Sequence, residues 1–356
     1  MKSGKWMIYG ANGYTGELIA RQAVQDGLFP VLAGRKKEAV ERLASELGLE
    51  SRIFSLDHAG LVEDSLQGME LVLHCAGPFS LTSKPMVEGC LTAGTHYLDI
   101  TGEMKVFEQI HSSELAQRAS ERGIVLCPGV GFDVVPTDCT AHKLKELLPD
   151  ATELALGFDS DSGISPGTFK TMIRGLSQGS AERKDGVITS FAMGSKKRII
   201  DFGRGTRTAT AIPWGDVSTA YYTTQIPNIT TWIPLPESKI RGARVMSFLG
   251  PVLGTSIVQK RLLKWVDKNI KGPSEASRAG SPAFIWGEAK SPDGQMKTVR
   301  IQTANVYDLT VYGALEMVKR MLGTDLPAGS FTPAGLFGSE LVESLPGSGE
   351  FEICEE

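Results

Sequence analysis

Along the first third of the chain, short apolar runs alternate with longer stretches whose apolar residues recur at helical spacing. Trp6-Met7-Ile8-Tyr9 is an apolar run of the kind a strand buried on both faces presents. The stretch after Gly16, ELIARQAVQDG, places Leu18, Ile19 and Ala23 on one helix face. Further strands are expected over Phe29–Ala33, Arg52–Leu56, Met69–His74, Thr95–Ile100 and Gly123–Cys127, with helical stretches between them. Six strands alternating with helices predict an α/β Rossmann fold, a doubly wound parallel sheet.

Beyond Cys127 the pattern changes. Short β-rich runs are expected at Glu153–Phe158, Val187–Phe191, Arg198–Phe202, Val217–Tyr222 and Val299–Ala304. They predict an inserted α+β domain with a mainly antiparallel sheet over 136–304, serving substrate binding and dimerisation. From Val306 the spacing is helical through Leu322, so 305–356 is expected to pack back on the first domain, 1–135. Ser165-Pro166-Gly167-Thr168 reads as a helix entry with an early proline, a cap in preference to a substrate-facing helix end.

The turn after the first strand is Gly10-Ala11-Asn12-Gly13-Tyr14-Thr15-Gly16, with glycines spaced G-x-x-G-x-x-G. Between a strand and a helix such glycines let the backbone turn tightly and approach a pyrophosphate, whose charge meets N–H groups at the helix N-terminus. A dinucleotide whose ribose 2′-OH is free is held by an acid at the end of the second strand. Here that position reads Gly34-Arg35-Lys36-Lys37. Arg35 can fork onto a 2′-phosphate and Lys36 can add charge, which points to NADP(H) over NAD(H). Against this stands the plain reading of a solvated basic helix start. Asp57, after the third strand, is a candidate neighbour of the adenine or simply a turn residue. Cys75-Ala76-Gly77-Pro78, ahead of Phe79, follows the fourth strand, where a doubly wound sheet holds the nicotinamide half of its ligand.

Composition narrows the field. With 41% hydrophobic and 22% charged residues the chain reads as a folded globular protein, and its net charge of −4 gives no electrostatic case for nucleic acid. The five cysteines, Cys75, Cys90, Cys127, Cys139 and Cys354, form no C-x-x-C pair, which fits reduced thiols in a cytoplasm and no zinc site. Neither a cleaved leader nor a spanning helix is expected. One run stands out in 242–269. VMSFLGPVLGTSIV is flanked by Arg241, Arg244, Lys260, Arg261, Lys264 and Lys268. The preferred reading is a buried or dimer-forming helix interrupted at Gly250-Pro251, giving a homodimer. The alternative is peripheral contact with a membrane surface.

GANGYTG, AGR, HCAGPF, YLDITGE and GFDVVPTD together resemble the saccharopine dehydrogenase-like oxidoreductases with an N-terminal NADP-binding domain. SPGTFKTM, IPWGDVSTAYYTTQIPNI, KGPSEASRAGS, FIWGEAKSPDGQ and the tail ending AGSFTPAGLFG resemble the branch containing the trans-acting enoyl reductases. The resemblance runs over nearly the whole chain and implies a two-domain NAD(P)-dependent oxidoreductase.

For the proton that accompanies a hydride, the leading candidate is Asp133, on the loop after the sixth strand. Asp138 is expected to be a cap. Asp99, Glu103, Tyr97 and Cys75 stand at strand ends as weaker candidates, and the five histidines form no sequence pair. Three functions follow: a reductase of a C=C or C=N bond in a small or lipid-linked molecule; an amino-acid dehydrogenase of the saccharopine type, needing an anion pocket from Arg174, Arg204 and Arg207; or a non-catalytic NADP(H)-binding sensor or membrane-surface partner.

Overall fold

In the computed structural model, which describes residues 4–162, 179–248, 255–269 and 281–354, seven strands form one parallel sheet. They are β1 (Trp6–Tyr9), β2 (Val31–Gly34), β3 (Ser51–Ile53), β4 (Leu71–His74), β5 (His96–Asp99), β6 (Val125–Cys127) and β15 (Gly329–Ser330). Their order is β15-β6-β5-β4-β1-β2-β3, the doubly wound arrangement, reversing direction between β1 and β4. Every residue of β1, β2, β4 and β6 is buried, so these strands read as continuous apolar runs. The edge strand β3 is largely exposed.

β1 spans the expected residues, while β2 to β6 are shorter than expected. At β2 the cause is chemical: Pro30 has no N–H to give a ladder, and the strand begins one residue later. The helix Tyr14–Gln25 buries Gly16, Ile19, Ala20 and Ala23. The seventh strand was not foreshadowed by the pattern, because two residues carry no periodicity.

The remaining strands are β7 (Glu153–Ser160), β8 (Ser180–Lys184), β9 (Val187–Phe191), β10 (Lys197–Asp201), β11 (Thr206–Ile212), β12 (Asn228–Pro234), β13 (Ala283–Lys290), β14 (Met296–Thr303) and β16 (Glu352–Cys354). They form a mixed sheet ordered β10-β11-β12-β7-β13-β14-β16, with β8 on β12 and β9 on β8. All pairs are antiparallel except β7 with β12. Leu154, Leu156, Ile229, Ala289 and Val299 form a core with Ala141 and Leu144 of helix Val135–Leu147 and Ala220 of helix Asp216–Thr224. Gly287 permits this approach, since a Cβ there would lie 2.5 Å from Thr140 Cγ2. Trp232 and Trp286 form a second core with Ile200 and Phe202. Ion pairs reach across to β13 (Arg198–Glu288, 2.8 Å) and β14 (Asp201–Arg300, 3.3 Å), so the β10 end of the sheet curls over its own aromatic face.

Residues Val217–Tyr222, expected as a strand, lie instead in the helix Asp216–Thr224. β-Branched and aromatic residues suggest a strand here. Yet the segment is helical, with residues 216–220 and Thr224 buried, and the Thr219 and Thr224 hydroxyls donate back to Gly215 O (3.4 Å) and Ala220 O (2.6 Å).

The chain divides into two compact units, Met1–Val135 with Tyr307–Leu336, and Pro136–Val306 with Phe337–Glu356. The expected return of 305–356 to the first domain is therefore corrected for its last part: β16 extends the second sheet by pairing with β14. Among the described residues no helix is long and apolar enough to cross a membrane. Ser165–Thr168, Arg174, 249–254 and most of KGPSEASRAGS lie outside the described residues.

Candidate functional site

The carboxyl ends of β1, β2 and β4 converge on the glycine turn. Gly10 and Ala11 both donate their N–H to Ala33 O (2.8 and 3.1 Å), and Cys75 N donates to Tyr9 O (2.7 Å). Gly10 has φ +84°, and a Cβ there would lie 2.8 Å from the Ala76 backbone nitrogen. Gly16 is required by close approach: its Cβ would stand 2.4 Å from Gly10 O and 3.1 Å from Ala11 Cα. Gly13 differs. It is exposed, has an ordinary φ of −82°, and its Cβ would meet only Gly10 O at 3.2 Å. The protein's own packing therefore demands two of the three glycines and barely constrains the third.

Gly13 is also the N-cap of helix Tyr14–Gln25, and it offers no side chain to the first-turn amides. The helix that follows β4 is treated in the opposite way. Glu103 accepts from Phe79 N (2.8 Å) and Ser80 N (3.1 Å), so a carboxylate closes the N-terminus of helix Phe79–Ala93. Of these two helix starts, the one at Gly13 carries no side-chain cap.

Asn12 Oδ1 lies beside Gly34, 3.2 Å from where a Cβ would be, which brings the glycine turn against the end of β2. Arg35, Lys36 and Lys37 follow, all exposed. Tyr9 joins the neighbouring ends. Its hydroxyl donates to Phe54 O (3.2 Å), and burial pushes its pKa up to about 12 against the pull of Arg35, with Asp57 adding to the rise. Arg35 and Asp57 thus both stand within electrostatic reach of one phenol. Asp57 accepts from Ser55 Oγ (2.5 Å). Thr15 and Tyr14 open the helix, and the Tyr14 ring meets Tyr307 edge-on at 5.5 Å.

On the β4 side, Cys75, Ala76, Gly77 and Pro78 form the turn into helix Phe79–Ala93, with a cis bond at Gly77-Pro78. Thr82 Oγ1 donates to Ala76 O (2.7 Å), so His74 Nε2, 3.0 Å away, donates to Thr82. His74 is fully buried between the Tyr9 and Phe79 rings, and desolvation lowers its pKa to about 3. It is a neutral packing residue. Burial and the nearby Asp99 raise the Cys75 thiol, which is no thiolate at neutral pH.

The carboxylates separate by role. Asp99, fully buried, accepts from Tyr97 Oη (2.7 Å), Thr101 N (2.9 Å) and Gly129 N (2.9 Å). It ties the ends of β5 and β6 together. Burial outweighs these donors and leaves its carboxyl at about 6. Asp138, expected as a cap, is buried in the second unit, where it accepts from Thr223 of helix Asp216–Thr224. Asp133 remains at the edge, partly exposed, with burial pushing its carboxyl up to about 6. Its Oδ2 occupies space that a side chain at residue 102 would need, 2.7 Å from a Cβ built on Gly102. Neither the Gly102 clearing nor the Glu103 cap carries a signal in the sequence.

Arg204 and Arg207, candidates for an anion pocket, are engaged elsewhere. Arg204 pairs with Asp159 and Asp161 (both 2.5 Å), and Arg207 pairs with Asp159 (3.2 Å).

Residues 6–127 match the family model of the saccharopine dehydrogenase NADP binding domain. This supports NADP(H) as cofactor, and the glycine cradle and basic strand end fit that dinucleotide. A saccharopine dehydrogenase-like oxidoreductase of Mus musculus is 26% identical over 50% of this chain and 47% of its own length. A Mycobacterium tuberculosis protein assigned by name to the trans-acting enoyl reductases is 29% identical over 49% of this chain and 44% of its own. The matches thus span about half the length of these curated relatives. Apo saccharopine dehydrogenase (L-Glu forming) from Saccharomyces cerevisiae shares the fold, with a TM-score of 0.65 over 99% of this chain and 100% of that one at 9% identity.

Proposed function

We propose that this protein is an NADP(H)-dependent oxidoreductase reducing a C=C or C=N bond of a small or lipid-linked substrate. The observation that carries the reading is the contrast between two helix starts on the carboxyl edge, one capped by Glu103 and one without a side-chain cap at Gly13, with the exposed cations Arg35 and Lys36 at the end of β2. The bound nicotinamide would supply hydride chemistry; binding, orientation and the proton fall to side chains.

In this reading the first-turn amides after Gly13 hold the pyrophosphate and Arg35 forks onto the 2′-phosphate. Asp133 holds the proton for the substrate atom that does not receive hydride. A carboxyl at about 6 keeps roughly a tenth of its molecules protonated at pH 7, enough for a general acid that reloads from solvent. Leu81, 67% exposed near the start of helix Phe79–Ala93, supplies apolar surface suited to a lipid-like substrate. The saccharopine-type alternative loses support because Arg204 and Arg207 are already neutralised. All five cysteines are free thiols, which suits a reducing compartment such as the cytoplasm.

The test is a fluorescence titration with NADPH and with NADH, on wild type and Arg35→Ser. Loss of a charge-assisted contact is expected to weaken NADPH about 10- to 100-fold and leave NADH nearly unchanged. Equal affinity of the wild type for both cofactors would overturn the 2′-phosphate assignment.

A further inference from the structure

The helices Glu237–Phe248 and Ser256–Asn269 carry a charge unlike that of the rest of the chain. Residues 237–269 contain seven lysines and arginines and two acids, a local charge of +5 within a molecule of net −4. The described cations face outward. Lys239, Arg241 and Arg244 are exposed on the first helix, whose Ile240 is fully buried. Lys260, Arg261 and Lys264 are exposed on the second, whose Val266 is fully buried. Of the two acids, Glu237 is paired with Lys197.

Trp265 shares that outward face. It follows Arg261 by one helical turn, adjoins Lys264, and is 51% exposed. An indole half-exposed among cations keeps part of its apolar surface in water, at a cost that burial in a lipid headgroup region would relieve. The charge pattern identifies the occupant. A second copy of this chain, docked by a twofold axis, would set cations against cations. Nucleic acid would satisfy the charge and gains less from an isolated tryptophan on a helix. An anionic lipid surface satisfies both.

We propose that the outward face of helix Ser256–Asn269, carrying Lys260, Arg261, Lys264 and Trp265, is a docking surface for anionic membranes. The proposal goes beyond the oxidoreductase reading and does not depend on it. The protein sits on the bilayer surface: cations engage phosphate and carboxylate headgroups while Trp265 enters the interface.

The experiment is co-sedimentation of the full chain with vesicles of phosphatidylcholine alone and of phosphatidylcholine containing about a third phosphatidylserine. Binding is expected to anionic vesicles only and to fall with salt. The triple variant Lys260→Glu, Arg261→Glu, Lys264→Glu is expected to weaken it by roughly 100-fold or more, since each cation near the surface contributes about a factor of five. Trp265→Ala is expected to weaken it about tenfold. Unchanged thermal melting and NADPH affinity in the variants would show that the fold is intact, and these readouts stay separate from the membrane one. The proposal is overturned by equal binding to neutral and anionic vesicles, by no binding to either, or by wild-type binding in the triple variant. It is also overturned if the same variant converts a dimer to a monomer without altering sedimentation, or if single-stranded RNA binds where vesicles do not.

Discussion

Replacing Gly13 and Gly16 separately by alanine distinguishes what the fold needs from what the cofactor needs. In Gly16→Ala the new methyl would begin 2.4 Å from Gly10 O, about 1 Å inside ordinary contact, and 3.1 Å from Ala11 Cα. Both neighbours are backbone, so helix and turn must part. Overpacking of this kind costs about 1–3 kcal/mol, against a gain of about 1 kcal/mol from removing a helical glycine. A net loss of up to about 2 kcal/mol lowers the melting midpoint by up to roughly 8 °C. In Gly13→Ala the methyl meets only Gly10 O at 3.2 Å, which a shift of a few tenths of an ångström relieves. The loss of stability is that of a poorer N-cap, about 0.5 kcal/mol. The methyl instead occupies the approach of the pyrophosphate, and NADPH affinity is expected to fall at least about tenfold, or ~1.4 kcal/mol. The assay pairs thermal denaturation without ligand with fluorescence titration of NADPH. Gly16→Ala should lose both properties and Gly13→Ala chiefly the second. If Gly13→Ala bound NADPH like the wild type, or melted as low as Gly16→Ala, the ligand-facing role of Gly13 would be refuted.

Other outcomes follow from the ionisable groups whose pKa is shifted. Asp133→Asn should lower kcat about 10²- to 10⁴-fold on any reducible substrate and abolish the fall in rate as pH rises past about 6, while leaving NADPH affinity unchanged; full turnover in the variant removes Asp133 from the mechanism. His74 has its folded pKa lowered to about 3 from an unfolded value near 6.5, so its contribution to stability is complete above 6.5 and lost as pH falls through the interval. At pH 5 that loss amounts to about 2 kcal/mol, so His74→Phe should show a correspondingly flatter decline between pH 7 and 5 in urea denaturation; parallel declines would show that His74 is not held neutral.

Legibility of the sequence tracked the distance over which each feature is encoded. The β1–Gly10–Gly16 segment was readable because strand, turn and helix are consecutive and the turn's chemistry is local. Arg35 was readable for a similar reason, standing at a predictable strand end. Glu103 was not, since its role as a cap depends on amides 23 and 24 residues earlier that only the folded sheet brings near. Gly102 likewise has meaning only once Asp133 lies against it. In the second unit, β7 pairs with β12 and β13 from distant parts of the chain, and β11, TRTATAI, alternates small residues too weakly to register as a strand. Val217–Tyr222 misled because threonines that bond back to their own helix have the composition of a strand.

The first unit closes with residues made late. Beyond the family-matched segment 6–127, β15 covers the outer edge of β6, with Gly329 N donating to Ile124 O and Phe331 N donating to Leu126 O (both 2.9 Å). Ser330 Oγ meets His111 Nδ1 (2.8 Å), Thr310 Oγ1 accepts from Phe132 N (3.1 Å), and Lys319 pairs with Asp26 (2.8 Å). A chain emerging from the ribosome therefore exposes the β6 edge and the Asp133 loop until about residue 336 has been synthesised. The unit that begins the chain is among the last to be completed, and a fragment cut at residue 135 would carry the cofactor's glycine turn without the sheet edge that finishes the unit around it.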